Sequence, residues 1–265
     1  MSEILSTNAL TRRFKDMVAV DALTVAVNAG EVFGLLGRNG SGKTTLIKML
    51  TTLLAPTAGS ATVGGHDVVR EAAAVRRLIG YVPQALSADG ELTGYENLRI
   101  FSRLYDLPRA RREERIRESL AFMGLTEQAD KLVKAYSGGM IRRLEIAQAM
   151  LHQPRLMFLD EPTVGLDPVA RDIVWEHIER LRTDYGTTIF FTTHYMDEAE
   201  NLCTRAAILQ RGKMMALGSL EALKATLGGG ATMDDVFVHY TGGVQEEEGA
   251  YLETAAMRRS ARKLG

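Results

Sequence analysis

Gly37-Arg38-Asn39-Gly40-Ser41-Gly42-Lys43-Thr44 decides how this chain is to be read. It fits the pattern G-x-x-x-x-G-K-[ST], a phosphate-binding loop (P-loop), whose glycines let backbone N–H groups turn inward on phosphates. In such a loop the lysine, Lys43, reaches the β- and γ-phosphates of a nucleotide, and the Thr44 hydroxyl ligates Mg2+. The context the motif needs is present on both sides. Val32-Phe33-Gly34-Leu35-Leu36 is a short apolar run of strand character, and Thr45-Leu46-Ile47-Lys48-Met49-Leu50 reads as a helix whose dipole favours an anion. Strand, glycine loop and helix open an α/β nucleotide fold.

Ahead of the loop, Val25-Ala26-Val27 and the turn Asn28-Ala29-Gly30 also read as β structure. Behind it the pattern changes. From about Tyr95 to Leu151 the chain is rich in Leu, Arg, Glu and Ala at helical spacing, which predicts a helical insertion, with the charged run from Arg111 to Leu120 as a solvated face. The α/β pattern then returns. Leu156-Met157-Phe158-Leu159 is a buried-type strand, Val169 to Tyr185 a helix closed by Gly186, and Thr188 to Thr192 another buried strand. Ala206 to Leu209 and Lys213 to Leu217, split by Arg211-Gly212, read as a hairpin. After Gly218 come a short helix, the break Gly228-Gly229-Gly230, and a tail with an acidic triplet, Glu246 to Glu248, and a basic end, Arg258, Arg259, Arg262 and Lys263. The expected organisation is a nucleotide-binding domain over 1–218, its helical insertion at about 90–152, and a short appendage with a partly disordered tail over 219–265.

Two further stretches carry chemistry. The strand at 156–159 ends in Asp160-Glu161: a strand-end Asp can hold Mg2+, and the Glu beside it can act as general base on a water. Ser137-Gly138-Gly139 opens a helix, so free N–H groups and the dipole present a second anion site, although taken alone it also reads as an ordinary helix entry. Two phosphate sites for one nucleotide suggest that two chains share each nucleotide. Gln84, His194 and Phe14 are weaker signals: singly they read as a surface Gln, a hydrogen-bonded loop His and a core Phe.

Composition limits the alternatives. The 265 residues allow one large domain or two small ones, and Lys+Arg 32 against Asp+Glu 33 gives a net charge of -1. Nothing there suggests a chain held to nucleic acid by bulk charge. One cysteine, Cys203, suits a reducing compartment and makes no internal disulfide. No signal peptide is expected at the N-terminus. The longest uncharged stretch, Met49 to Gly65, carries Pro56 and Gly59 and is too short to span a membrane.

In order, the P-loop, Gln84, Ser137-Gly138-Gly139, Asp160-Glu161, Gly165-Leu166-Asp167-Pro168 and His194 resemble the ATP-binding cassette (ABC) ATPase family, over about residues 4–218. The resemblance implies an α/β fold of P-loop NTPase type, with a RecA-like core, an N-terminal antiparallel β subdomain and an inserted α-helical subdomain. It implies ATP and Mg2+ as ligands. Gly37, Arg38, Asn39, Gly40, Ser41, Gly42, Lys43, Thr44 and Thr45 would hold ATP, with Phe14 stacked on adenine. Thr44, Gln84 and Asp160 would serve the metal, and Glu161, His194 and Lys43 the hydrolysis. Ser137, Gly138 and Gly139 would bind the γ-phosphate held by the other subunit, and Asp167 would lie across the dimer interface. The aromatic is usually Tyr where Phe14 stands. The Ser-Gly-Gly motif usually begins with Leu and ends with Gln, where Tyr136 and Met140 stand here. Tyr136 to Met140 and the stretch Thr232 to Gly242 look like the daunorubicin/doxorubicin-resistance type of bacterial exporter ATPases. That type implies a homodimer or heterodimer of cassettes, a separate ABC-2-type permease, and a place on the cytoplasmic face of the membrane. A soluble ABC ATPase acting on a macromolecular machine and an importer ATPase are the other readings. The latter two are disfavoured by the single cassette, the lack of a coiled coil or basic excess, and the short tail.

Overall fold

The N-terminal strands pair antiparallel because the chain returns on itself through short turns before any helix intervenes. β1 (Glu3–Phe14) pairs with β2 (Met17–Leu23) along its second half and with β3 (Ala26–Asn28) along its first. Register shifts fall at Leu10, Arg12 and Arg13, and Ala9 has φ 47, so the long strand bends and serves several neighbours. β4 (Val32–Leu36) follows, then the glycine loop and α1 (Lys43–Leu50). β5 (Ala58–Val63) and β6 (His66–Asp67) return to complete the first sheet, in the order β2-β1-β5-β6 with β3 beside β1. The computed structural model describes residues 2–228 and 230–242.

The remaining elements build a second sheet and its covering helices. α2 (Ala72–Leu78) leads into β7 (Ile79–Val82); α3 (Gly94–Leu104), α4 (Arg109–Phe122) and α5 (Gly138–Met150) form the helical insertion. β8 (Leu156–Asp160), α6 (Pro168–Tyr185), β9 (Thr188–Thr193), α7 (Met196–Leu202), β10 (Arg205–Gln210) and β11 (Lys213–Ser219) follow, and α8 (Leu220–Ala225) and α9 (Met233–Thr241) end the described chain. The sheet order is β11-β10-β4-β9-β8-β7, parallel except for the β10–β11 hairpin. β4, β8 and β9 are buried at every residue, as expected of parallel strands covered on both faces.

Side-chain alternation divides the core. Phe33, Leu35, Phe158 and Phe190 point to one face, where α1 supplies Leu46 and Ile47 and the antiparallel sheet supplies Val20 and Val27. Met157, Leu159, Ile189 and Phe191 point to the other, against Leu144 and Ile146 of α5 and Val174 and Ile178 of α6. In α4 only Ile116, Ser119, Leu120 and Phe122 are buried, while Arg111, Glu114, Arg117 and Glu118 are exposed, the solvated face that the charge run predicts.

After 218 the described chain packs back on the sheet through α9. Met233, Val236 and Phe237, at i, i+3, i+4 spacing, bury against Leu36, Met196, Ala199 and Ile208. Thr232 and Asp235 form a capping box at the start of α9, and Gln210 Nε2 donates to the Thr241 carbonyl at 2.5 Å. Gly218 and the glycine run suggest a boundary in the sequence, but the apolar stripe of α9 needs the sheet to cover it. The acidic triplet Glu246–Glu248 and the basic end at Arg258, Arg259, Arg262 and Lys263 lie outside the described residues. Among the described residues no helix is long and apolar enough to cross a membrane.

Candidate functional site

The site is assembled where β4, β7, β8 and β9 end, since all four run in the same direction and their following loops meet. The P-loop leaves β4 at Leu36, and Gly37 N–H donates to the Thr193 carbonyl at 3.2 Å. Gly42 must be glycine: its φ is 110, and a Cβ there would lie 2.3 Å from the Ala19 carbonyl oxygen. Gly42 caps α1 without a side-chain hydrogen bond, and the first turn holds no acidic residue. Its N–H groups and dipole therefore suit an anion from outside the helix. Lys43 is 4% exposed, and its Nζ donates to the carbonyls of Gly37 (2.7 Å) and Arg38 (3.2 Å) and lies 2.9 Å from Glu161 Oε1.

Glu161 is the hub of the site. It follows β8 with φ 48, a conformation that few non-glycine residues adopt, and its N–H is held by the Thr192 carbonyl and Thr192 Oγ1. Gln84 Nε2 donates to Glu161 Oε2 at 3.1 Å, and His194 Nδ1 lies 3.3 Å from the same oxygen. Burial acts to raise the Glu161 carboxyl, but the hydrogen bonds from His194 and Lys43, with their charge, hold it below the usual carboxylate value. Asp160 sits one residue earlier, 1% exposed. Thr192 Oγ1 donates to its Oδ1 at 2.6 Å, while its buried Oδ2 has no hydrogen-bond partner. The Ser41 hydroxyl is buried and unpartnered in the same way.

A cavity of about 560 Å³ opens over these groups, lined by Asn39, Gly40, Gly42, Lys43, Thr44, Thr45, Gln84 and Glu161. Phe14 lines it from the end of β1, 38% exposed, with the Arg12 guanidinium 4.5 Å from its ring centroid. Met17, Val18, Ala19, Arg211 and Gly212 complete the lining. The sequence alone assigns none of these five to the site. Arg211-Gly212 reads only as a hairpin turn, and no local signal shows that the turn closes the cavity beside the β1–β2 turn.

Ser137, Gly138, Gly139 and Asp167 do not line this cavity. They lie together instead: a Cβ on Gly139 would fall 2.8 Å from the Ala170 Cβ, and one on Gly138 would lie 3.6 Å from Leu166. Both helix starts are capped. Ser137 Oγ accepts from the Met140 N–H at 3.3 Å, and Asp167 Oδ1 from the Ala170 N–H at 2.9 Å. The cavity over Lys43 and Glu161 and the paired helix starts are thus separate features of the chain.

The comparisons agree with this architecture. Residues 20–164 match the ABC transporter family. The daunorubicin/doxorubicin resistance ATP-binding protein of Streptomyces peucetius is 47% identical over 224 residues, 84% of this chain and 68% of that protein. The Nod factor export ATP-binding protein I of Ralstonia nicotianae is 41% identical over 215 residues, 81% of this chain and 67% of its own length. A solved ATP-binding subunit of an ABC transporter superposes with a TM-score of 0.80 at 30% identity, covering 89% of this chain and 99% of that one. The ADP conformation of another ATP-binding cassette gives 0.74 at 26% identity, over 83% and 92%. The chain therefore belongs to the ABC transporter family, as an ATP-binding, ATP-hydrolysing subunit.

Proposed function

We propose that this chain drives a bacterial exporter from the cytoplasmic face of the membrane, with a separate ABC-2-type permease moving a drug, lipid or polysaccharide-like substrate. The observation that carries the catalytic part is the convergence of Lys43, Gln84 and His194 on Glu161 beneath the P-loop cavity. The exporter part is supported by the relatives, whose names describe drug resistance and Nod factor export.

ATP phosphates entering the cavity compete with Glu161 and two carbonyl oxygens for the Lys43 ammonium. Phosphate oxygens carry more charge, so Lys43 moves its interaction to them and Glu161 is released to accept a proton from the attacking water. Gln84 and His194 stay within reach of Glu161 and orient it, and His194 meets the γ-phosphate. The residues fit Mg2+: Asp160 Oδ2 is a buried oxygen without a partner, and Thr44 and Gln84 add neutral oxygens of the kind a hard cation takes. Held by Asp160, Thr44 and Gln84, Mg2+ would supply charge neutralisation at the β- and γ-phosphates. Ser137, Gly138, Gly139 and Asp167 serve the ATP of a second cassette, which is why they sit away from this chain's own cavity. ATP then favours a closed pair and hydrolysis reopens it, and the permease follows that equilibrium.

Two expected results arise here. Asp160→Asn should lower Mg2+-dependent ATP binding and turnover together, since it removes a charge at the metal; magnesium titration at fixed ATP reads this directly. Phe14→Ala should weaken ATP and GTP binding alike by about 1–3 kcal/mol, the range for stacking a base on an aromatic ring. Arg12 covers one face of that ring, which leaves one for a base. Unchanged affinity in a fluorescence titration would remove Phe14 from the nucleotide site. The exporter reading itself is tested in inverted membrane vesicles carrying this chain and an ABC-2-type permease that co-purifies with it. ATP-dependent substrate uptake should be present with the wild type and absent with Glu161→Gln.

A further inference from the structure

α5 carries a charged pair that the reading above does not use. Arg142 and Glu145 lie one turn apart, 2% and 3% exposed, with Arg142 Nη1 2.9 Å from Glu145 Oε2. Their other bonds all run to one loop. Arg142 Nη1 donates to the Pro83 carbonyl and Nη2 to the Gln84 carbonyl, both at 2.7 Å. Glu145 Oε1 accepts from the Ser87 N–H and, at 3.1 Å, from the Ser87 hydroxyl. The side chain of that same Gln84 donates to Glu161. A buried ion pair is weak evidence for stability, because apolar residues of similar volume often serve as well or better. What this pair adds is a fixed geometric link, since the planar guanidinium fork grips two adjacent carbonyls at once.

We infer that Arg142 and Glu145 are positioning residues that lock the 83–87 loop to the start of α5, so that the state of Ser137–Gly139 is transmitted to Gln84 and Glu161 of the same chain. This rests on the two-chain reading above. Ser137–Gly139 answers to the partner's ATP, whereas Gln84 and Glu161 answer to the chain's own. The pair therefore couples the two ATP sites of a dimer through the interior of each subunit, along hydrogen bonds in one rigid helix.

The test uses the full chain with Arg142→Met and Glu145→Leu together, which removes both charges and leaves neither buried alone. ATP affinity should stay at the wild-type value, because the P-loop is untouched. The kcat should fall by about 2- to 30-fold with KM unchanged, the size of effect expected when coupling through a network is lost. The inference expects wild-type turnover to be cooperative in ATP, with a Hill coefficient above 1 that drops to about 1 in the double variant. Amide exchange across residues 84–88 should rise, and this is read on the isolated chain without any dimer. Wild-type kcat, cooperativity and exchange in the double variant overturn the inference. If that variant does not fold, Arg142→Lys, which keeps the charge and loses the fork, should show the same changes at smaller size. Failure of ATP to pair Glu161→Gln chains that retain Arg142 and Glu145 is a separate result, and it counts against the two-chain reading.

Discussion

Lys43→Ala should abolish measurable ATP turnover and weaken ATP binding. The substitution removes the ammonium held beside Glu161 under the loop, the group proposed to meet the β- and γ-phosphates. It also leaves Glu161, whose side chain is 5% exposed, without this cation and beside Gln84 and His194. Breaking a buried pair from one side costs about 3–5 kcal/mol, so the variant should also melt earlier. Lys43→Arg separates the two effects, since it restores the charge without the compact ammonium. It should recover much of the stability and little of the turnover. Phosphate release reads the activity and circular dichroism the fold. Near-normal turnover in Lys43→Ala would sink the P-loop assignment.

Glu161→Gln should leave ATP binding intact while turnover falls by about 10²–10⁴-fold, the usual contribution of a general base. Glutamine keeps the shape and can still accept from Lys43 through its carbonyl oxygen, so the arrangement beneath the loop survives. What it loses is the ability to take a proton from water. The two substitutions therefore differ in kind. The first removes binding and chemistry together, and the second stops the chemistry on a fully loaded site. A wild-type rate in Glu161→Gln means that another group supplies the base.

Much of this site is legible from sequence because its parts are local. The glycine loop, the Asp-Glu pair at the end of β8 and the Ser-Gly-Gly start of α5 each fit within a few residues, and each sits at the end of an element whose apolar pattern is clear. Parallel pairing of β4 with β9 and of β9 with β8 then brings the glycine loop and the Asp-Glu pair together, while the Ser-Gly-Gly start stays outside their cavity. The unread parts depend on contacts far apart in the chain. Arg142 meets Pro83 across 59 positions, and nothing in the local pattern of α5 distinguishes an inward arginine from an outward one. Arg211 and Gly212 reach the cavity only because β11 brings the hairpin turn beside β2: Asp21 N–H donates to the Gly212 carbonyl at 2.9 Å. The Met233, Val236 and Phe237 stripe of α9 follows a glycine break that reads locally as a boundary, and only its long-range packing on Leu36 and Ile208 shows what it covers.

The measurement closest to the central claim is the mass of the Glu161→Gln chain in solution, by size exclusion with light scattering. Hydrolysis is stalled in this variant, so ATP should hold the closed arrangement in which Ser137, Gly138 and Gly139 of one chain complete the P-loop site of another. With saturating ATP and Mg2+ the chain should run as a dimer; with ADP it should return to a monomer. Adding Ser137→Arg should abolish the dimer, because a bulky cation would occupy the γ-phosphate position opposite the partner chain's P-loop lysine. A Glu161→Gln chain that remains monomeric with saturating ATP and Mg2+ would contradict the account.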